Sequence, residues 1–555
     1  MPGFDVIPRK GERGFQAVRP ISEAPAGAVP IPTSGTARIA SAWFSWAIPV
    51  SAAILILPLW LTRLPAMPDF PAHLATFYLL ASGAKDPHAA QFYRVEWAFV
   101  PNLAAEVIVP LLAKILPLIA ATKLFLSAVI AMWVFGGAAI QKALYGRIGV
   151  APLAAGFFAY NANFMWGFFN YCFGTGLSLF VLAAWIGSDG RRTPLRLAGF
   201  AAAATVIYFC HLFAMATLLV MIVCYELAKL WEERPVAPTK VLERALPVAA
   251  IFIPAFIAFV LLKPHGADSG HLEFNLQSTL DDRSNAAIQY AFDKPALILF
   301  FLLVSFFVLG VWLRKVVVHP RATLLLCILA IATIFTPEWA MGGWGVDLRL
   351  PPVLGALAFA SCDFQMRNRV VQGIAAAVMI LLAWQSATLA GNWRYYSKQY
   401  SEFRAAVGKL PGGSKLLTVT DGNAMGEASE QPYWHMAEYA IVDKGDFTPL
   451  LFTTKGQHVI QLQPSVRSIA ASNAQQGSPP DINELDDIAA GNYRDDPDVK
   501  KTFPYLIRFQ CHFDYAVVIH SGGRQTPAPD MLQRVHAGSF FSLYRILPSD
   551  DCNHP

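Results

Sequence analysis

Residues 39–73 read IASAWFSWAIPVSAAILILPLWLTRLPAMPDFPAH. No charge interrupts Ile39–Leu61, and a run of ~20 apolar residues is what a helix needs to cross a bilayer core. The run is too long for the apolar core of a cleaved signal. The residues before it (1–38) are rich in Pro, Gly and Ala and carry Arg9, Lys10, Arg13, Arg19 and Arg38, so they read as a disordered cytoplasmic tail. Just past the run, Asp69 stands between Pro68 and Pro71. A carboxylate at the membrane boundary is costly unless solvated or paired, and the prolines restrict its backbone. By its own residues, Asp69 reads either as a solvated cap of a helix starting near Pro71 or as a placed functional acid.

Moving outward, apolar runs recur at about 119–141, 149–166, 173–187, 197–210, 212–230, 245–262, 295–313, 322–336, 350–362 and 370–390. Overall 55% of residues are hydrophobic and 15% charged, against about 25% charged in a soluble domain. The fold class is therefore an α-helical polytopic membrane protein of about eleven transmembrane helices, residues 39–390, with a small C-terminal α/β domain, residues 391–555. Every second loop is basic: Lys142 and Arg147; Arg191, Arg192 and Arg196; Lys229 and Arg234; Arg314, Lys315 and Arg321; Arg367 and Arg369. The positive-inside rule puts these with the N-terminus in the cytoplasm. An odd number of spans then places the first loop (63–118) and the C-terminal domain outside, in the periplasm if this is a bacterial inner-membrane protein. No basic stripe interleaved with aromatics supports nucleic-acid binding.

Within the first loop, Asn102–Leu118 carries Glu106 and Lys114 among apolar residues, the pattern of a helix lying along the interface. In the C-terminal domain a helix over 394–409 is expected to stop at Pro411-Gly412-Gly413. Three strands follow, Lys415–Thr420, Asp514–His520 and Phe540–Leu547, with a helix near 433–442. No nucleotide-binding glycine loop or catalytic-triad signature is visible there. Cys172, Cys210, Cys224, Cys327 and Cys362 lie in or beside apolar runs as small packing residues. Cys511 and Cys552 could pair in an oxidising compartment, which the sequence leaves open.

Asp69-Phe70-Pro71-Ala72-His73, the aromatic loop Asn161–Gly174, the block Trp434–Gln463 and the order of spans and domains together resemble the GT-C superfamily of glycosyltransferases. Protein O-mannosyltransferases and aminoarabinose transferases belong to it. The resemblance implies an integral-membrane enzyme using a polyprenyl-phosphate-linked sugar donor and a lipid, polysaccharide or protein acceptor, with Asp69 as the catalytic carboxylate. The sequence departs from many members in lacking a second acid beside Asp69, so a divalent cation stays an open candidate cofactor.

The leaving phosphate needs cations, and Arg349 and Lys263 are the candidates, with Arg63 behind them. Snorkelling at the interface is the alternative for each. His73, four residues after Asp69, could orient the base, join a metal site with Asp69 and Glu96, or make a structural hydrogen bond. His211 could line the cavity or satisfy a turn. Trp166 and Asn170 could wall a sugar or prenyl site, or belong to an aromatic belt. Two other functions fit the architecture: a transporter or flippase for a lipid-linked or small solute, and a non-catalytic envelope-assembly subunit.

Overall fold

The computed structural model describes residues 35–82, 85–188, 193–262, 272–274, 294–341, 343–422, 431–471, 479–520, 525–549 and Cys552. Lys263, most of the 263–294 loop, Arg191, Arg192 and most of the N-terminal tail lie outside them.

The helices are α1 (Gly35–Leu61), α2 (Phe70–Ser82), α3 (Ala104–Leu112), α4 (Leu118–Tyr145), α5 (Ala151–Ala155), α6 (Ala162–Trp166) and α7 (Phe169–Gly187). They continue with α8 (Pro194–Cys210), α9 (Leu212–Glu232), α10 (Pro238–Leu262), α11 (Lys294–Trp312), α12 (Pro320–Phe335), α13 (Leu350–Ala360) and α14 (Asn368–Val407). Among the described residues five helices, α4, α7, α9, α10 and α14, are long and apolar enough to cross a membrane, and shorter apolar helices within α1, α8, α11, α12 and α13 lie beside them. The expected polytopic helical fold is present. α4 and α7 approach closely because glycines face their partners: a Cβ on Gly136 would stand 2.8 Å from Leu179 Cβ, and one on Gly176 2.9 Å from Met132 Cβ. Small residues let apolar helices gain van der Waals contact where no hydrophobic drive separates helix from lipid.

Two expectations need correcting. The run 149–166 is not one helix: it breaks into α5, a 3-10 turn (Gly156–Tyr160) and α6. Asn161 causes the break, because its extended backbone lets its side chain accept from Phe164 N (3.3 Å) and donate to Phe158 O (2.8 Å). The segment still runs from one end of the bundle to the other. Gly149 N donates to Gln141 Oε1, while the Trp166 carbonyl accepts from Asp69 N. The second correction concerns residue 390. α14 is continuous from Asn368 to Val407, so the last span and the expected 394–409 helix are one rod. Nothing between them (Thr388, Leu389, Ala390, Gly391, Asn392) breaks a helix as proline would.

The bundle has two chemically different ends. At one, Tyr145 reaches the carbonyls of Val317 and Ser361, Arg147 pairs with Asp363, Arg321 with Glu232, and buried Arg244 bridges Glu226 and Glu233. At the other lie the end of α1, Asp69, the α6–α7 turn, Arg349 and the C-terminal domain.

That domain is built on strands β2 (Leu416–Asp421), β4 (Tyr515–His520), β5 (Leu532–Ala537) and β6 (Phe541–Ile546), with β1 (Tyr93–Val95) and β3 (Ile460–Leu462) forming a separate pair. Sheet order is β2-β4-β6-β5, with β2 parallel to β4 and the other pairs antiparallel. Within this sheet the unexpected strand is β5, an exposed edge whose LQRVHA pattern lacks an alternating apolar face, and the β1–β3 pair was not expected either. One sheet face, with Val517, Ile519, Phe541 and Leu543, joins the helical core through contacts such as Phe403–Phe541. The other face, with Leu417, Val419, Ala516 and Val518, packs on Phe447, Leu451, Ile482 and Tyr505. β1 comes from the first loop and pairs antiparallel with β3, Tyr93 opposite Leu462, so loop and domain share one core. Cys511 and Cys552 form a disulfide with a Cα–Cα separation of 5.3 Å.

Candidate functional site

The chain after α1 is pinned before it reaches Asp69. The Thr62 carbonyl accepts from Lys123 Nζ on α4, and Leu64 N donates to Ser397 Oγ on α14 (3.1 Å). Asp69 N then donates to the Trp166 carbonyl (3.0 Å), and the Asp69 carbonyl accepts the first α2 bond, from His73 N (2.9 Å). Among the described residues the Asp69 carboxylate makes no hydrogen bond to the first turn of α2, so it does not act as a side-chain cap. It is 8% exposed and faces a histidine instead, His435 Nε2, 3.7 Å away. His435 Nδ1 stands 3.4 Å from Glu438 Oε1, and that oxygen accepts from Thr448 Oγ1 (3.5 Å).

This row of groups sets their protonation. Burial pushes the Asp69 carboxyl up to about 7; His435 pulls it down and Glu438 pushes it further up. Burial alone would lower His435, but the carboxylates of Glu438 and Asp69 raise it above its usual value. His73, one turn along α2, packs its ring on Phe169 (4.8 Å) and Phe452 (5.5 Å). Burial drives it down to about 3, and His458, stacked on the same Phe452, down to about 4, so both are neutral. His73 and Asp69 are thus neighbours, as the four-residue spacing suggests, and His73 is an uncharged wall. Glu96 points elsewhere and pairs with Arg94 (2.6 Å). Among the described residues no three His, Cys, Asp or Glu side chains could hold a metal ion together.

A second cluster lies across the α6–α7 turn. Arg349 precedes α13 and is 6% exposed. Its guanidinium sits among Phe213 (4.6 Å), Phe168 (5.5 Å) and Tyr171 (5.7 Å). Nη2 donates to the Trp344 carbonyl (3.2 Å), whereas Nε and Nη1 have no hydrogen-bond partner among the described residues. Guanidinium donors in this state have the geometry for bidentate contact with a carboxylate or phosphate. Tyr171 Oη donates to the Arg349 carbonyl (2.6 Å), and its ring meets His211 edge-on at 5.4 Å. His211 caps α9, its Nδ1 accepting from Phe213 N (3.1 Å). Trp166 packs edge-on against Trp344 at 5.1 Å. Arg349, His211 and Trp166 therefore gather on this side.

The turn itself connects the two clusters. Trp166 carries the carbonyl that holds Asp69, Asn163 Nδ2 donates to the Leu348 carbonyl (2.7 Å), and Phe168 lies against Arg349. Gly167 has φ +117°, and a Cβ there would stand 2.6 Å from Asp69 Cβ; only glycine permits both. Among the described residues no ion pair joins Arg349 to Asp69. Asn170 takes a different part from the expected wall. Its Oδ1 accepts from Ala105 N (2.7 Å) and its Nδ2 donates to Glu106 Oε2 (2.8 Å), docking the start of α3. Glu106 is 2% exposed, and its burial raises it to about 7 against the Asn170 bond. Arg63 is exposed.

His435, Glu438, Phe452 and His458 were not assigned roles from sequence, although they lie within the Trp434–Gln463 block. Its only local signal is two histidines and three acids (Glu438, Asp443 and Asp446) amid aromatics; nothing in the spacing ties it to residue 69.

No family model and no curated protein matches the sequence. Among solved structures, the chain is similar to ArnT from Cupriavidus metallidurans bound to undecaprenyl phosphate, with TM-score 0.46 and 11% identity, over 91% of this chain and 98% of that one. The apo state of ArnT gives TM-score 0.44 at 11% identity, over 91% and 98%.

Proposed function

We propose that the protein is a bacterial inner-membrane glycosyltransferase. It moves a sugar from a polyprenyl-phosphate donor to a lipid, polysaccharide or protein acceptor at the periplasmic face, with inversion. The observation that carries this reading is Asp69. It is a buried carboxyl held near neutrality beside His435, at the same end of the bundle as Arg349 with its open donors. A general base works best when its pKa lies near the working pH, and burial brings Asp69 there. The acceptor hydroxyl attacks the anomeric carbon, the bond from that carbon to the phosphate oxygen breaks, and the phosphate leaves with the electron pair. Asp69 takes the hydroxyl proton, and His435, whose charged form Glu438 favours, stands 3.7 Å away and steadies the ionised carboxylate. Arg349 meets the phosphate through Nε and Nη1. The bundle keeps the prenyl chain in the bilayer, and His211 and Trp166 border the Arg349 side.

The test is transfer by purified protein from a panel of polyprenyl-phosphate sugars, read alongside the cell-envelope glycan profile. Asp69→Asn should lower transfer by ~10²–10⁴-fold, the range of a lost general base. Wild-type transfer by a folded Asp69→Asn protein would overturn the assignment.

A further inference from the structure

The C-terminal domain contains a second row of polar groups that plays no part in the chemistry around Asp69. Asp421 ends β2, His520 ends β4, and Ser542 is the second residue of β6. His520 Nδ1 lies 2.9 Å from Asp421 Oδ2, and His520 Nε2 lies 2.9 Å from Ser542 Oγ. All three are buried, at 0%, 8% and 3% exposure. Asp421 Oδ2 also accepts from Thr526 N (2.8 Å), and Oδ1 from Thr526 Oγ1 (2.7 Å).

The bonds to Asp421 select the tautomer of a neutral His520. Burial pushes the Asp421 carboxyl up, but the bonds from Thr526 and His520 outweigh it and hold the group below its usual value. An ionised carboxylate only accepts, so the proton on His520 sits on Nδ1. In the neutral imidazole Nε2 is then the acceptor, and Ser542 Oγ donates to it. That is the ground-state polarity of an activated serine: nucleophile, base, and a carboxylate holding the base in the right tautomer.

The position in the sheet agrees. β2 and β4 are parallel, and ligand sites of parallel sheets lie outside the carboxyl ends of the strands, where Asp421 and His520 stand. The β6–β5 register shifts between Leu543 and Tyr544, just past Ser542. Such irregularities occur beside active sites, where they re-aim a side chain.

We propose that Ser542, His520 and Asp421 form an acyl-transfer site in the C-terminal domain, whose substrate class is a carboxylic ester. Ser542 Oγ bonds to the ester carbonyl carbon as its proton passes to His520 Nε2. The carbon–oxygen bond to the leaving alcohol then breaks, and that oxygen takes the proton from Nε2. Water attacks the acyl-serine with its proton going to Nε2, and releases the carboxylic acid while Ser542 regains its proton. Asp421 stays ionised throughout and stabilises the imidazolium.

The experiment treats the full-length protein in detergent with a fluorophosphonate probe, maps the adduct by peptide mass, and follows p-nitrophenyl acetate hydrolysis in parallel. One adduct, on Ser542, is expected; Ser542→Ala should abolish it. Asp421→Asn should slow labelling at least 100-fold while the protein still elutes as a folded monodisperse species. Failure of the folded wild-type protein to label at Ser542 would overturn the proposal, as would equal labelling of Asp421→Asn. Neither outcome depends on the glycosyl-transfer activity, which Ser542→Ala should leave unchanged.

Discussion

Asp69 draws its electrostatic setting from the opposite end of the chain. His435 lowers its pKa and Glu438 raises it, so removing each should move the acid limb of transfer in opposite directions. In the wild-type protein, transfer should fall as pH drops through about 7, because the protonated carboxyl is no longer a base. His435→Gln should shift that limb to higher pH, and Glu438→Gln to lower pH. Limbs that stay together in all three proteins would remove this row from the mechanism. Stability responds with its own sign. The folded-state pKa of Asp69, about 7, exceeds the ordinary 3.8, so the folded protein binds the proton more tightly than the unfolded chain. The Asp69 contribution to stability is therefore full below that ordinary value and is lost as pH rises toward 7. Asp69→Asn should melt higher than wild type at pH 8, with the gap closing near pH 4. Gly167 is the other decisive residue at this scale. Gly167→Ala combines a left-handed φ with a collision against Asp69. A cost of about 1–3 kcal/mol is expected, visible as a lower melting temperature together with lost transfer.

Between elements, the telling contact is the one that ties the first loop to the C-terminal domain. β1 lies against β3, and Tyr93 Oη accepts from Thr448 N (3.1 Å), bracing the segment that carries Phe447, Leu450 and Phe452. Tyr93→Phe leaves that buried N–H unpaired, at a cost of about 1–3 kcal/mol. Because Phe452 backs His73 and His435, transfer should weaken along with the melting temperature; an unchanged kcat would show that the two are uncoupled. α14 acts in the same sense. It holds Leu64 through Ser397 near the membrane boundary and Asp443 through Arg404 inside the domain. One helix thereby sets the height of Asp69 and of the domain together.

At the scale of the molecule, polarity is segregated. Arg147, Arg244 and Arg321 gather with acidic partners at one end, and Asp69, Arg349 and the domain lie at the other. The proposed topology, drawn from the positive-inside rule, has the domain facing outward. A cysteine-accessibility scan should label a probe cysteine in the domain from outside the cell and one beside Arg147 only after permeabilisation. The Cys511–Cys552 bridge fits an oxidising exterior. Replacing both cysteines by serine should destabilise the domain by about 2–4 kcal/mol, measured as lost thermal protection of purified protein.

Membrane character, the order of the apolar segments and the main strands of the domain could be read from residues 39–555 directly. Span length, loop charge and strand alternation are local properties, written in consecutive residues. Asp69 and Arg349 were legible for the same reason: a charge at the end of an apolar run stands out. What surrounds them was not legible. His435 and Glu438 reach Asp69, and Ser542 reaches His520 and Asp421, only because the chain folds distant segments together, and no spacing encodes such contacts. The break at Asn161 was decided by its capping bonds, against the apolar pattern, and the continuity of α14 through residue 390 by the lack of a helix breaker there. Residues 39–73 announce a helix and an acid at the membrane boundary; the tertiary structure alone buries that acid and sets a histidine from a distant segment beside it.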